Sequence, residues 1–264
     1  ICISLSQSWG LIKFVNCLII CYYKYSISGV LMLEQINNFL TNEECDVLIS
    51  AMETAIPSFS TYNTANFNDI QAYLQAQRSP GIFIDPPYTT YSWGNNIGRG
   101  NRTQLFFDRS DSAVTSVITK LANYTGLPTS HQTRPLLFKY EVGGQYVTRA
   151  DFFSCLSPSR TQQLSESQDT SYFEWKKSFI QQGGQRLKSM IIFLNDDFDG
   201  GSIQFAPTST VIAPQKGKAI IFDVVQPGIT DENGDLVMDT NMFYADNLVT
   251  SNSKYTLHIW IREG

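Results

Sequence analysis

The sequence predicts a mainly β domain with N-terminal helices, folded as a double-stranded β-helix (a jelly-roll, cupin-like barrel). Three observations predict it. Residues 32–130 carry helical periodicity with capping signals. From residue 135 onward the pattern changes to about eight short runs rich in β-branched and aromatic residues. There is no internal repeat, and helices followed by strands rather than alternating with them point to an α+β jelly-roll, not a parallel sheet.

The helical prefix spans 32–130. Thr41-Asn42-Glu43-Glu44 reads as a capping box, in which the Thr41 hydroxyl accepts from a first-turn amide and Glu44 reaches back. Val47, Leu48, Ala51 and Met52 then form one apolar face. A second helix is expected over 66–77. Residues 85–101, rich in Pro, Tyr, Gly and Asn, read as a long loop. A helix capped by Ser110 or Asp111 follows, with Val114, Val117, Ile118 and Leu121 inward and Gly126 ending it.

The barrel spans 135–262. Its expected strands are Leu136–Glu141, Gln145–Phe153, Leu187–Leu194, Ser202–Phe205, Val211–Ala213, Ala219–Asp223, Asn241–Val249 and Tyr255–Ile261. Gly143-Gly144, Asp199-Gly200-Gly201 and Pro214 to Gly217 supply turns. The Ser- and Gln-rich stretch 154–182 reads as a lid or insertion over the barrel mouth.

The composition is that of an ordinary globular chain: 264 residues, 42% hydrophobic and 16% charged, with a net charge of −5. This acidic balance excludes an electrostatic nucleic-acid binder, which needs a basic face. The five cysteines (Cys2, Cys17, Cys21, Cys45 and Cys155) have neither zinc-site spacing with histidines nor the density of a disulfide scaffold. Residues 1–31 stand apart from the domain at 32–264. Leu11 to Tyr23 is apolar but is interrupted by Lys13 and Asn16, so a membrane span is not expected. Two readings stay open. Either translation starts at Met32 and the protein is cytoplasmic, or 1–31 is a weak hydrophobic leader that anchors it in the secretory pathway.

Residues 140–153 carry the functional signal: Tyr140, a Gly-containing turn, Tyr146, then Arg149-Ala150-Asp151 and the pair Phe152-Phe153. This stretch resembles the first metal-ligand strand of the iron(II)- and 2-oxoglutarate-dependent dioxygenases of the prolyl 4-hydroxylase family. The likeness covers roughly 30–262. It includes Asn101-Arg102-Thr103, Gly183 to Arg186, Met190 to Asn195, Gly200 to Phe205, Ile212 to Ala219, Asp239 to Val249, and Lys254-Tyr255-Thr256 with Trp260-Ile261. The resemblance implies a 2-oxoglutarate-dependent iron enzyme acting on peptidyl proline or a related side chain. Such enzymes hold iron by two His and one carboxylate on one face.

Carried over residue by residue, the pattern is mixed. Asp151 stands at the carboxylate position. Arg149 stands at the first His position, and Tyr244 at the second. Lys254 matches the lysine that binds the distal carboxylate of 2-oxoglutarate. Tyr140 matches a co-substrate contact, and Thr256 shares the face of Lys254. A guanidinium cannot become a metal ligand. Arg149 and Asp151, two apart on one strand, are expected to pair, with Tyr244 donating to the same carboxylate. Of the two histidines, His131 reads as an exposed loop residue. His258 points inward if Lys254 does, either to fill the core or to meet a bound acid.

Three functions follow as alternatives. One is a metal-deficient relative that binds a small dicarboxylate or a peptide through Arg149, Lys254 and Tyr140. Another is a working dioxygenase using Asp151, Tyr244 and His258. The third is a structural or interaction jelly-roll whose interior is filled by side chains. An open cavity between Lys254 and Arg149 would favour the first, and a filled one the third.

Overall fold

The computed structural model describes residues 33–55, 61–63, 82–85, 99–153, 183–232 and 234–264. The leader at 1–31, the helix expected over 66–77, the lid at 154–182, and four of the five cysteines lie outside them. In chain order the elements are β1 (Leu33–Ile36), α1 (Asn42–Ala55), β2 (Thr61–Asn63), β3 (Ile82–Asp85), β4 (Arg99–Phe106), α2 (Ser112–Thr125), β5 (Leu136–Arg149) and β6 (Arg186–Phe193). There follow β7 (Asp199–Gly200), β8 (Ile203–Phe205), β9 (Thr210–Ile212), β10 (Ala219–Asp223), β11 (Val225–Thr230), β12 (Leu236–Met238), β13 (Tyr244–Asp246), β14 (Val249–Ser251) and β15 (Lys254–Arg262). Among the described residues the main sheet runs β1-β10-β6-β15-β5-β13-β8-β9, with β4, β3 and β2 branching from β5. No helix among them is long and apolar enough to cross a membrane.

Both helices start where their caps predict. Glu44 accepts from the Thr41 amide at 2.8 Å, and the Thr41 hydroxyl accepts from the Glu44 amide at 3.2 Å. Asp111 caps α2 through the Ala113 amide, and Gly126 ends it at φ 72°. Glu44 also accepts from Ser116 and Lys120, which ties α1 to α2. Leu48 and Met52 are buried as expected, but Val47 is exposed and Cys45 takes the inward place.

The helices explain the central strands. Met190 and Ile192 of β6, Ala219 and Ile221 of β10, and Leu257, Ile259 and Ile261 of β15 pack with Leu48, Val117 and Leu121. The alternate residues Ile191, Phe193, Ile220 and Phe222 join Phe205, Met242 and Tyr244 on the other face. A strand buried on both faces loses polar–apolar alternation, so residues 190–193 of β6 and 219–222 of β10 read as continuous apolar runs. Burial of these side chains is the main stabilising term, at about 1.5–3 kcal/mol for each large aliphatic or aromatic group.

Three expected elements differ. The loop expected over 85–101 is strand at both ends, because Asp85 closes β3 and Arg99 opens β4. The run Asn241–Val249 is divided: a 3-10 turn over Thr240–Met242 precedes the short β13, and β14 begins at Val249. The strands expected at Leu136–Glu141 and Gln145–Phe153 are one strand, β5, ending at Arg149. Gly143, at φ 84°, makes a bulge there rather than a hairpin turn. Opposite it, the register steps from Gly100↔Gln145 to Arg102↔Tyr140. The bulge brings Tyr140 and Tyr146 to the same guanidinium: Cζ of Arg102 lies 5.9 Å from the Tyr140 ring and 4.1 Å from that of Tyr146.

Gly200 is held in the left-handed region at φ +75°, and a Cβ there would sit 2.1 Å from the Leu248 carbonyl oxygen. Gly200→Ala should therefore destabilise the protein by more than about 1–3 kcal/mol, since backbone strain and a clash with main chain add. Denaturant unfolding of the two proteins measures this directly.

Candidate functional site

Lys254, Thr256 and His258 alternate along β15 and share the face turned away from the helices. Lys254 begins β15 directly opposite Tyr140 of β5. Its aliphatic stem lies against Gly201, where a Cβ would meet Phe198 at 2.6 Å and the lysine's Cδ at 3.0 Å. Glycine there allows the whole lysine to be buried. On the other side of β5, β13 brings Tyr244 opposite Arg149 and Asp246 opposite Tyr146.

These three strands close an ion-pair network around one carboxylate. Oδ1 of Asp246 accepts from Nζ of Lys254 at 2.7 Å, and both side chains are 0% exposed. Oδ2 of Asp246 accepts from Nη2 of Arg149 at 2.8 Å. Burial alone would raise the pKa of Asp246. The Lys254 ammonium and the Arg149 guanidinium overcome that and hold it far below the usual carboxylate range. Burial also lowers the pKa of Lys254, against the pull of Asp246. The Arg149 guanidinium is sandwiched by aromatic rings, with Cζ 3.7 Å from the Tyr146 centroid and 4.0 Å from that of Tyr244.

Asp151 makes a second, separate cluster just past the end of β5. Its Oδ2 accepts from the Tyr244 hydroxyl at 2.9 Å and from Ser189 Oγ at 2.6 Å. Burial opposes its charge. Arg186, then Arg149, and the hydrogen bond from Ser189 together keep its pKa low. Arg186 donates to the Asp151 carbonyl at 3.1 Å and lies over Phe153 and Trp260, at 4.3 and 4.0 Å from their centroids. Its own pKa is drawn down to about 10 by burial.

The expected partner of Tyr244 is therefore correct, and that of Arg149 is not. Arg149 pairs with Asp246, because the cross-strand diagonal from β5 to β13 brings that carboxylate to its guanidinium, whereas Asp151 lies beyond the strand end. Asp246 is the residue the sequence reading missed. The signal was there: Asp246 stands two residues after Tyr244 on a strand, so it shares that face by the same alternation that relates Arg149 to Asp151. Ser189 and Arg186 were missed as well, because only folding brings β6 to Asp151.

The remaining candidates are accounted for. Thr256 Oγ1 lies 3.1 Å from Nε2 of His258, and the Phe138 ring packs edge-on to the imidazole at 4.6 Å. His258 fills the core. Burial lowers its pKa to about 3 despite the Asp246 and Asp151 carboxylates, with Arg149 and Lys254 adding to the depression. His131 is half-buried on a 3-10 turn, with Nδ1 3.1 Å from the Arg262 carbonyl, and takes no part in either cluster. The Tyr140 hydroxyl is buried, and its proton meets no acceptor among the described residues; Arg149 Nη1 is also without one.

Iron does not fit this donor set. Burial pushes the Tyr244 phenol well above its ordinary pKa, and its proton is given to Asp151. A cationic guanidinium occupies the first His position. No group of three His, Cys, Asp or Glu that could hold a metal is found among the described residues. A dicarboxylate on Lys254 and Arg149 does not fit either without displacing Asp246, which already binds both.

No protein-family model matches this chain. It is 24% identical over 163 residues to a protein of Acanthamoeba polyphaga mimivirus whose assignment as a prolyl 4-hydroxylase is provisional, covering 62% of this chain and 58% of that one. It is 22% identical over 169 residues to probable prolyl 4-hydroxylase 8 of Arabidopsis thaliana, covering 64% and 43%. The chain thus spans about half the length of the curated relatives it matches. Among solved structures it superposes on the viral collagen prolyl hydroxylase of Paramecium bursaria Chlorella virus-1 in its 2-oxoglutarate complex, with TM-score 0.53, 19% identity, and coverage of 92% and 98%. It also superposes on a Trichoplax adhaerens prolyl hydroxylase in complex with a hypoxia inducible factor oxygen degradation domain peptide fragment, with TM-score 0.51, 12% identity, and coverage of 98% and 94%. The fold is the double-stranded β-helix of the prolyl hydroxylases, and the sequence resembles theirs.

Two outcomes follow. Removing Arg149 leaves Asp246 paired one-to-one with Lys254, whereas removing Asp246 leaves two buried cations facing each other. Arg149→Ala should cost about 1.5–3 kcal/mol, the worth of a charge-assisted hydrogen bond. Asp246→Ala should cost about 3–5 kcal/mol or more. Urea unfolding of both variants tests the order. His258 gives a pH dependence. Below pH 6.5 the unfolded chain takes up a proton that folded His258 refuses until about pH 3, so stability falls as pH falls through that window, by roughly 1.4 kcal/mol per pH unit. His258→Leu should flatten the profile between pH 6.5 and the carboxylate range.

Proposed function

We propose that this prolyl 4-hydroxylase-fold chain is a non-oxidising relative that keeps the fold for binding a peptide or protein partner rather than for oxygen chemistry. The observation that carries this reading is the Asp246 carboxylate, bound through one oxygen to Lys254 and through the other to Arg149. That contact engages the lysine at the 2-oxoglutarate position and the arginine at the first metal-ligand position together. An oxygenase of this family needs both places open, one to co-substrate and one to iron.

A peptide or protein partner is the class supported by likeness, since the Trichoplax relative of similar fold is seen with a peptide. Of the three alternatives, the Asp246 carboxylate between Lys254 and Arg149 supports the interaction jelly-roll over a dicarboxylate-binding barrel. The working-dioxygenase reading would need Tyr244 as a ligand, and its proton is committed to Asp151.

Anaerobic iron(II) titration in the presence of 2-oxoglutarate tests the proposal. The expected result is no saturable metal-to-ligand charge-transfer band, and no succinate formed from 2-oxoglutarate in air with proline-containing peptides. A saturable band, or succinate that depends on peptide, would overturn it. Arg149→His with Tyr244→His should gain iron(II) binding through two restored imidazoles. It should still bind 2-oxoglutarate poorly, because Asp246 continues to hold Lys254.

A further inference from the structure

We infer that Asp246 is an intramolecular ligand: its carboxylate fills, from within the chain, a carboxylate-binding seat made by Lys254 and Arg149, and so excludes free carboxylates from the barrel. The inference deepens the reading above and rests on it. Three observations support it.

The first is how the two cations are held. Lys254 arrives on β15 and Arg149 on β5, and Asp246 of β13 gives each its own oxygen, at 2.7 and 2.8 Å. Two buried cations without an anion between them would repel in a medium that screens poorly. Some carboxylate has to stand there, and the chain supplies one.

The second is that the seat offers more donors than Asp246 satisfies. Among the described residues, the Tyr140 hydroxyl proton and Arg149 Nη1 are both left without an acceptor, and Tyr140 is fully buried. Buried donors are normally paired, so a donor set larger than its acceptor fits a ligand with more oxygen atoms than a single aspartate. Tyr140 also lines Lys254 directly, with Nζ 4.9 Å from its ring centroid.

The third is charge. Among the described residues, the ion-paired set places two cations, Lys254 and Arg149, against one aspartate. Asp151 also acts on Arg149 through space, but its carboxylate accepts from Tyr244 and Ser189, whereas that of Asp246 accepts from both cations. Removing Asp246 therefore leaves a site that is cationic, donor-rich and shaped around a carboxylate, while His258 and Thr256 beside it stay paired with each other.

The test uses the full chain and its Asp246→Ala variant, with sodium formate and sodium acetate as probes and sodium chloride at equal ionic strength as control. The unfolding midpoint of the variant should rise saturably with formate or acetate and much less with chloride. The apparent affinity for formate should be at least about tenfold tighter than in the unsubstituted protein, whose two cations are occupied. The double variant Asp246→Ala, Lys254→Met should lose this response.

Equal responses to carboxylate and chloride, or equal responses of variant and unsubstituted protein, would overturn the inference. If the alanine variant does not fold in plain buffer, its refolding yield from denaturant is compared in formate and in chloride. A higher yield in formate supports the seat, and equal yields sink it. Asp246→Asn, which keeps the shape but not the charge, should also gain a carboxylate-dependent rise in midpoint, and no rise would count against the inference. None of these readouts involves iron or turnover. A charge-transfer band in the unsubstituted protein would defeat the proposed function without touching the formate result, and an absent formate response would defeat the inference alone.

Discussion

The carboxylate of Asp246 is the point on which the interior of this barrel depends. A buried lysine and a buried arginine meet there, and each would be costly to bury without a counter-charge. The effective penalty for burying an unpaired ion is several kcal/mol even after relaxation. One aspartate with an oxygen for each cation removes most of it. The geometry needs three adjacent strands, β15, β5 and β13, in the register observed. A slip of one residue in β13 would turn Asp246 to the other face and leave both cations bare.

The rest of the fold can be understood as support for that register. The helices α1 and α2 cover one face of β6, β10 and β15, and the barrel interior covers the other. Strands apolar on both sides are pinned in place by packing. The bulge at Gly143 then turns β5, so that Tyr140 and Tyr146 both reach the Arg102 guanidinium and Tyr146 also stacks on Arg149. Aromatic faces take the place of water around these guanidinium groups. Asp151, Tyr244, Ser189 and Arg186 form the second cluster, joined through the Asp151 carboxylate and carbonyl.

On the function proposed above, this chain supplies its own ions where the dioxygenases it resembles receive a metal and an acid. Arg149 brings a permanent positive charge to a ligand position, and Asp246 brings the acid to the lysine. The exchanges are coupled by charge balance: a guanidinium added without a new carboxylate would leave an unpaired buried ion.

Much of this was legible in the sequence. The capping box at Thr41, the Asp111 and Gly126 ends of α2, and the apolar runs of β6 and β10 follow from local periodicity and hydrogen-bonding chemistry, which act within a few residues. The inward face of Lys254, and with it Thr256 and His258, was read from the family pattern. The Tyr244–Asp151 bond was anticipated from the family pattern. The partner of Arg149 was not, and neither were the bulge in place of a turn at Gly143 or the roles of Ser189 and Arg186. Alternation along a strand says which residues share a face, but not which strands lie side by side or how far one has slid along another. Asp246 stands 97 positions from Arg149 in the chain, and only strand pairing makes them neighbours. Sequence alone determined the kind of fold and the chemical groups available; tertiary register decided which charge meets which, because ion pairing acts through distance in space and not along the chain.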